Sequence, residues 1–206
     1  MNIITYIAGP IDANNYLVFD ESTKEAVLID CSAYNEDIIR EVRNKGLNVK
    51  YILLTHGHFD HILGVNEMKN TLGAKVGINK ADVILMEHTP QMCTMFGLPP
   101  EEPQIPDFTF DGDTELTVGS YKIRIFNTPG HTEGGVSYLI EDKLFCGDTL
   151  FKGSYGRTDL PGGNFKAIVN SIKDTLFKLD DNINVYPGHG ESTTIGYEKK
   201  YNEINQ

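Results

Sequence analysis

The stretch His56-Gly-His58-Phe-Asp60-His61, directly after the apolar run Tyr51-Ile-Leu-Leu-Thr55, places three imidazoles and a carboxylate within six residues. Crowded titratable groups shift one another's pKa, and burying them unpaired is costly. A divalent cation turns that cost into binding energy. Imidazole and carboxylate together suit zinc, iron or manganese, and the lack of neighbouring thiolates argues against a closed structural zinc site. A fold for this chain therefore has to accommodate four such groups at the end of one apolar run.

The same local arrangement recurs along the chain. Thr128-Pro-Gly-His131 follows the strand-like run 122–127, and Tyr186-Pro-Gly-His189 follows the one at 184–186. Pro-Gly makes a tight turn that leaves the imidazole at the strand edge. Cys146-Gly-Asp148 ends another apolar run with a carboxylate. Each of these alone is a weak signal. Seven His and Asp residues, all just past strand ends, fit two adjacent metal ions that share a carboxylate, with room for a bridging water. Five of the six histidines belong to this set. The sixth, His88, precedes Thr89-Pro90 at a predicted helix end, where a positive imidazole interacts well with the helix dipole.

At 206 residues the chain is long enough for one domain, 1–206, with a substantial core. No apolar stretch approaches the roughly 20 residues that span a bilayer, so no membrane association is expected. Met1-Asn2-Ile3-Ile4 lacks the basic and apolar regions of a secretory signal, which makes a cytoplasmic location the expectation. A formal charge of -11 and a pI near 4.9 would repel a phosphate backbone, so nucleic acid is not an expected partner. Cys31, Cys93 and Cys146 are widely spaced and form no C-x-x-C pair, which reads as reduced, buried thiols.

Periodicity predicts strands at 16–19 and 26–30, a helix at 36–45 stopped by Gly46, a doubly buried strand at 50–55 and a helix at 62–72 stopped by Gly73. A strand at 74–78 and a helix at 81–87 follow. Residues 89–108 carry Pro90, Pro99, Pro100, Pro103 and Pro106 and read as an irregular loop, with a role as a substrate lid left open. Strands are expected at 115–118, 122–127, 136–140, 143–146 and 184–186, and helices at 165–179 and 195–204. Two strand-rich halves that each carry helices suit a layered α/β sandwich.

With His56-x-His58-x-Asp60-His61 followed in order by His131, Asp148 and His189, the chain resembles the metallo-β-lactamase-fold hydrolases over nearly its full length. The segments Gly147-Asp-Thr-Leu-Phe151 and Gly156-Arg-Thr-Asp-Leu-Pro-Gly-Gly163 are similar to the glyoxalase II-like group, the hydroxyacylglutathione hydrolases. Pro187-Gly-His-Gly-Glu-Ser-Thr-Thr-Ile-Gly196 resembles their short relatives, which lack the C-terminal helical domain. The resemblance implies an αββα four-layer sandwich with the site along one edge of its two sheets. It also implies two divalent metal ions, with zinc expected and iron or manganese accepted by the same donors. His56, His58 and His131 would hold one ion, Asp60, His61 and His189 the other, and Asp148 would bridge them.

The reaction so implied is hydrolysis of a small-molecule hydroxyacyl thioester by a metal-bridging hydroxide, with Asp60 orienting that hydroxide and taking its proton. Arg157 and Asp159 fall in register with the positions that contact glutathione in the glyoxalase II-like group. Arg157 could fork onto a substrate carboxylate, or be tied to Asp159 or a loop carbonyl instead. The same motifs leave open a mononuclear-iron persulfide dioxygenase and a lactone or β-lactam hydrolase.

Overall fold

Apolar residues fall on both faces of the central strands, and that two-sided burial sets the layering. In the computed structural model, which describes residues 1–111 and 114–206, the first sheet runs in spatial order β1 (Asn2–Ala8), β2 (Ala13–Phe19), β3 (Glu25–Ile29), β4 (Asn48–Leu53), β5 (Lys75–Asn79) and β6 (Phe108–Phe110). The first three strands pair antiparallel, and β3 to β6 pair parallel through helical crossovers. Those crossovers contain α1 (Glu36–Lys45), α2 (Phe59–Ile62), α3 (Val65–Leu72), α4 (Val83–Glu87) and α5 (Thr89–Met95). Within β2 to β4, Leu17, Leu28 and Ile52 face the helices, while Val18, Val27, Ile29 and Leu53 face the second sheet.

The second sheet is built from β7 (Thr114–Val118), β8 (Tyr121–Asn127), β9 (Val136–Ile140) and β10 (Lys143–Gly147), all antiparallel. Beyond the small hairpin β11 (Leu150–Phe151) and β12 (Ser154–Tyr155), and the helix α6 (Phe165–Asn170), β13 (Asn184–Pro187) pairs parallel with β10. The edge strand β14 (Thr193–Thr194) leads into α7 (Ile195–Tyr201). Ile123, Ile125, Val136, Tyr138 and Phe145 fill the space between the sheets. Leu144, Cys146 and Val185 pack outward against Ile168, Ile172 and Ile195. Helices, sheet, sheet, helices: the chain is an αββα four-layer sandwich, as expected.

The local signals explain most boundaries. Asn35 caps α1 by accepting from the backbone N–H of Asp37 and Ile38, and Gly46, at φ 62, ends it in the left-handed conformation. The single helix expected at 62–72 is broken between α2 and α3, where Gly64 N–H bonds Cys31 O at 2.9 Å. A Cβ there would lie 2.3 Å from the Ala33 carbonyl, so the backbones meet at a point only glycine permits.

Further expectations need correction, among them the helix expected over 195–204, which ends at Tyr201 and is followed by a 3-10 turn at Glu203–Asn205. The loop expected over 89–108 begins as a helix, α5, and ends in strand β6. Pro90 stands in the first turn, where its missing N–H has no helical partner to lose. The helix expected over 165–179 is regular only to Asn170; a π turn at Ser171–Thr175 and a 3-10 turn at Leu176–Lys178 complete it. Strand β1 was not expected from the sequence. Among the described residues no helix is long and apolar enough to cross a membrane.

Candidate metal centre

All seven expected donors lie in the segments that follow strands of one sheet or the other. His56 and His58 lie in the turn after β4, and Asp60 and His61 are in the first turn of α2. His131 follows β8, Asp148 follows β10 and His189 follows β13. The sandwich brings all of these ends to one edge. Ligand atoms of His56, His58 and His131 lie within 4.8 Å of one another, as do those of His56, His61 and Asp148, and those of Asp60, His61 and His189.

Outer partners fix which nitrogen of His56, His61 and His131 faces inward. A carboxylate only accepts, so His61 Nδ1 donates to Asp30 Oδ2 at 2.9 Å, leaving Nε2 toward Asp60, Asp148 and His189. The Thr55 hydroxyl donates to Asp30 Oδ2 at 2.8 Å, so its oxygen is free to accept from His56 Nδ1 at 3.1 Å. His131 Nδ1 donates to Arg157 O at 2.8 Å, and its Nε2 sits 2.8 Å from His58 Nδ1. Asp30 reaches this position through a left-handed backbone, φ 59, directly after β3.

The donor set fits divalent cations on the evidence of its own unmet valences. Among the described residues, two buried side-chain polar atoms have no hydrogen-bond partner, and they are His56 Nε2 and Asp148 Oδ1. Asp148 Oδ1 is 3.4 Å from His61 Nε2 but is not aligned for a hydrogen bond. Orphaned buried atoms of this kind are expensive unless something accepts them. Gly188 keeps the space beside Asp148 open: a Cβ there would lie 2.1 Å from Asp148 Oδ1 and 2.7 Å from His61 Cε1.

Protonation divides the cluster in two. Burial and the neighbouring imidazoles hold His56 well below its usual range, and burial with His131 brings His58 down to about 3. His61 goes the other way, because Asp60, Asp148 and Asp30 together outweigh its burial. His189 is also raised, burial again being outweighed by the Asp60 hydrogen bond of 3.1 Å and by Asp148. Burial opposes ionisation of Asp60 and Asp148, yet His61 with its fellow imidazoles draws both below the ordinary carboxylate range.

Residues that the sequence did not single out hold the donor loops in place. Asp82 accepts from Gly57 N at 2.9 Å, Thr132 Oγ1 at 2.7 Å and Gly134 N at 2.6 Å, tying the His56 turn to the His131 turn. Asn14 and Tyr16, both on β2, bond the His189 turn across the sandwich: Asn14 Nδ2 to Pro187 O at 3.0 Å, and Tyr16 Oη to the same carbonyl at 2.6 Å. His88 lies outside the cluster, its Nδ1 2.7 Å from Ile84 O at the end of α4.

The donors floor a cavity of about 450 Å³, with His58, Asp60, His131, Asp148 and His189 facing it beneath Phe59, Met92, Phe96 and Phe151. Thus Met92 and Phe96 bring α5 and its end to the site, while Asn66 bonds Pro103 O and the Gln104 side chain and carries the chain beyond them away over α3. Arg157 also lines the cavity, but its guanidinium is engaged bidentately by Asp159, at 2.7 Å on each arm.

This arrangement can be compared with known proteins. The description "Metallo-beta-lactamase superfamily" matches residues 8–189. The chain belongs to the metallo-beta-lactamase superfamily. A relative within it, hydroxyacylglutathione hydrolase GloC of Haemophilus influenzae, is 36% identical over 206 residues, spanning 98% of this chain and 97% of that one. The crystal structure of BLEG-1 B3 metallo-beta-lactamase superimposes with a TM-score of 0.91 at 34% identity, over 98% of this chain and 99% of that one. A second crystal structure, TTHA1623 in a di-iron-bound form, gives 0.87 at 33% identity over the same shares. The His and Asp cluster is therefore a candidate divalent-metal centre of a superfamily hydrolase.

Proposed function

We propose that this chain is a metal-dependent thioester hydrolase acting on hydroxyacyl conjugates of a small thiol. The observation that carries the reading is the cluster of seven donors, five of which face an open cleft. The full-length likeness to hydroxyacylglutathione hydrolase GloC supports the choice of bond. In this reading His56, His58 and His131 would hold one ion, Asp60, His61 and His189 would hold a second, and Asp148 would serve both. Zinc is the expected ion, and iron or manganese would suit the same donors. Divalent cations so held acidify a water molecule and polarise the carbonyl of the substrate.

Asp60 does the work that remains for a side chain. Its carboxylate is kept ionised by His61 and His189 and faces the cavity, so it can orient the attacking water and accept its proton. Covalent catalysis has no support in the cleft. Ser154 donates its hydroxyl to Glu203 at 2.6 Å, and burial pushes the Cys146 thiol up to about 12. A thiolate leaves without protonation, so no general acid is required.

Opening of a β-lactam by the same residues is a second reading, favoured by the likeness to BLEG-1 B3 metallo-beta-lactamase. Assay of the metal-loaded protein against S-lactoyl thioesters and β-lactams side by side tests both. Turnover of the thioesters alone is the expected result, and no thioester turnover at full metal occupancy would overturn the proposal.

A further inference from the structure

Met92, Phe96 and Leu160 stand between the metal cleft and a second cavity, also of about 450 Å³, and line both, as does His58. The other walls of the second cavity include Ile84, Leu85, Met95 and Pro161. Ile84 is 52% exposed, Met95 64% and Phe96 42%. Large apolar side chains grouped around a concavity and left open to water mark a ligand surface. Of the polar groups that line this cavity, Asp82 is committed to its three donors and His88 to Ile84 O, and Glu133 adds a negative charge beside Gln91.

Charge points the same way. Among the described residues lining the two cavities, the basic side chains other than the candidate metal donors are Arg157 and His88. Arg157 is held by Asp159 on both arms of its fork. A glutathione moiety brings two carboxylates, and neither finds an uncommitted cation here. It meets Glu133 and Asp82 instead, with Asp159 close behind Arg157.

We infer that the second cavity is a specificity pocket for an uncharged, apolar arm of the substrate, an alkyl or aryl group carried by the thioester, and that glutathione conjugates are not the preferred substrates. The word thioester rests on the hydrolase reading above; the apolar arm rests on the cavity and its charges alone.

The test is calorimetric titration of the metal-loaded protein with uncleavable ketone analogues, in which methylene replaces the thioester sulfur. Alkyl chains of two to eight carbons are placed on either side of the carbonyl, with S-methylglutathione as the charged comparator. Affinity should rise about fourfold per methylene in at least one of the two series, and S-methylglutathione should bind more weakly than the long neutral analogues. Met95→Glu and Ile84→Glu, both at exposed positions that the fold can spare, should each flatten the dependence on chain length. Affinity independent of chain length in both series, or tightest binding by S-methylglutathione, would overturn the inference. The matching thioesters are then assayed for turnover: length-dependent binding without turnover sinks the hydrolase reading and leaves the pocket standing.

Discussion

Asp30 Oδ2 lies 2.9 Å from His61 Nδ1, and the pair is closed off from solvent at the base of the donor cluster. Asp30 also accepts from the Thr55 backbone N–H and hydroxyl, each at 2.8 Å. One carboxylate thus sets the His61 tautomer directly and the His56 tautomer through Thr55. Partners of this kind tune a metal through its ligand. Asp30→Ala should weaken cation affinity by about 10- to 100-fold, measured by competition with a chelating indicator. An affinity within twofold of the parent protein would show that the pair only fills space.

The two halves of the cluster should take up cations with different proton costs. Burial and neighbouring imidazoles hold His56 and His58 below the usual histidine range, whereas Asp60 and Asp148 outweigh burial and raise His61 and His189 above it. A raised histidine pKa means that a cation must displace the proton, so binding at Asp60, His61 and His189 strengthens as pH rises. Titrations in buffers of different ionisation enthalpy should show net proton release for the more weakly bound ion and little for the other. Equal release from both steps would contradict this protonation pattern.

Asp82 is a buried carboxylate with three hydrogen bonds to the two donor loops. Asp82→Ala strands those donors and removes no candidate metal ligand. Loss of stability of about 3 kcal/mol is expected, or roughly 6 to 12 °C in melting temperature. A melting temperature unchanged within experimental error would show that water replaces the carboxylate at no cost.

Arg157 lines the cleft, yet it is already paired with Asp159, and the pair is largely exposed. Both arms of the Arg157 fork already have an acceptor. Arg157→Ala should therefore change kcat/KM for a charged thioester by less than about fivefold. A loss of a hundredfold, carried by KM, would mean that the guanidinium leaves Asp159 for a substrate carboxylate.

The donors were legible in the sequence because each ends an apolar run that is buried on both faces, as Ile52 and Leu53 are, or follows a Pro-Gly turn, as His131 and His189 do. Their supports were not. Asp82 meets Gly57 and Gly134 at sequence separations of 25 and 52, and nothing local distinguishes it from a surface acid before a helix. Asp30 is likewise an ordinary strand-end residue until the sandwich sets His61 beside it. The irregular reading of 89–108 failed at its two ends for different reasons. Pro90 suits a first helical turn, and β6 is a three-residue edge strand too short to show a period. β1 is an edge strand with no fully buried residue, so its pattern gave no two-sided signal.

The central claim is that two cations held by these seven residues drive hydrolysis of a thioester. Stepwise addition of zinc to metal-free protein, with S-lactoyl thioester hydrolysis followed at each step, tests it most directly. Activity should climb and reach its plateau at two ions per chain. Full occupancy without thioester hydrolysis, or one iron per chain with oxygen consumed on a persulfide substrate, would contradict it.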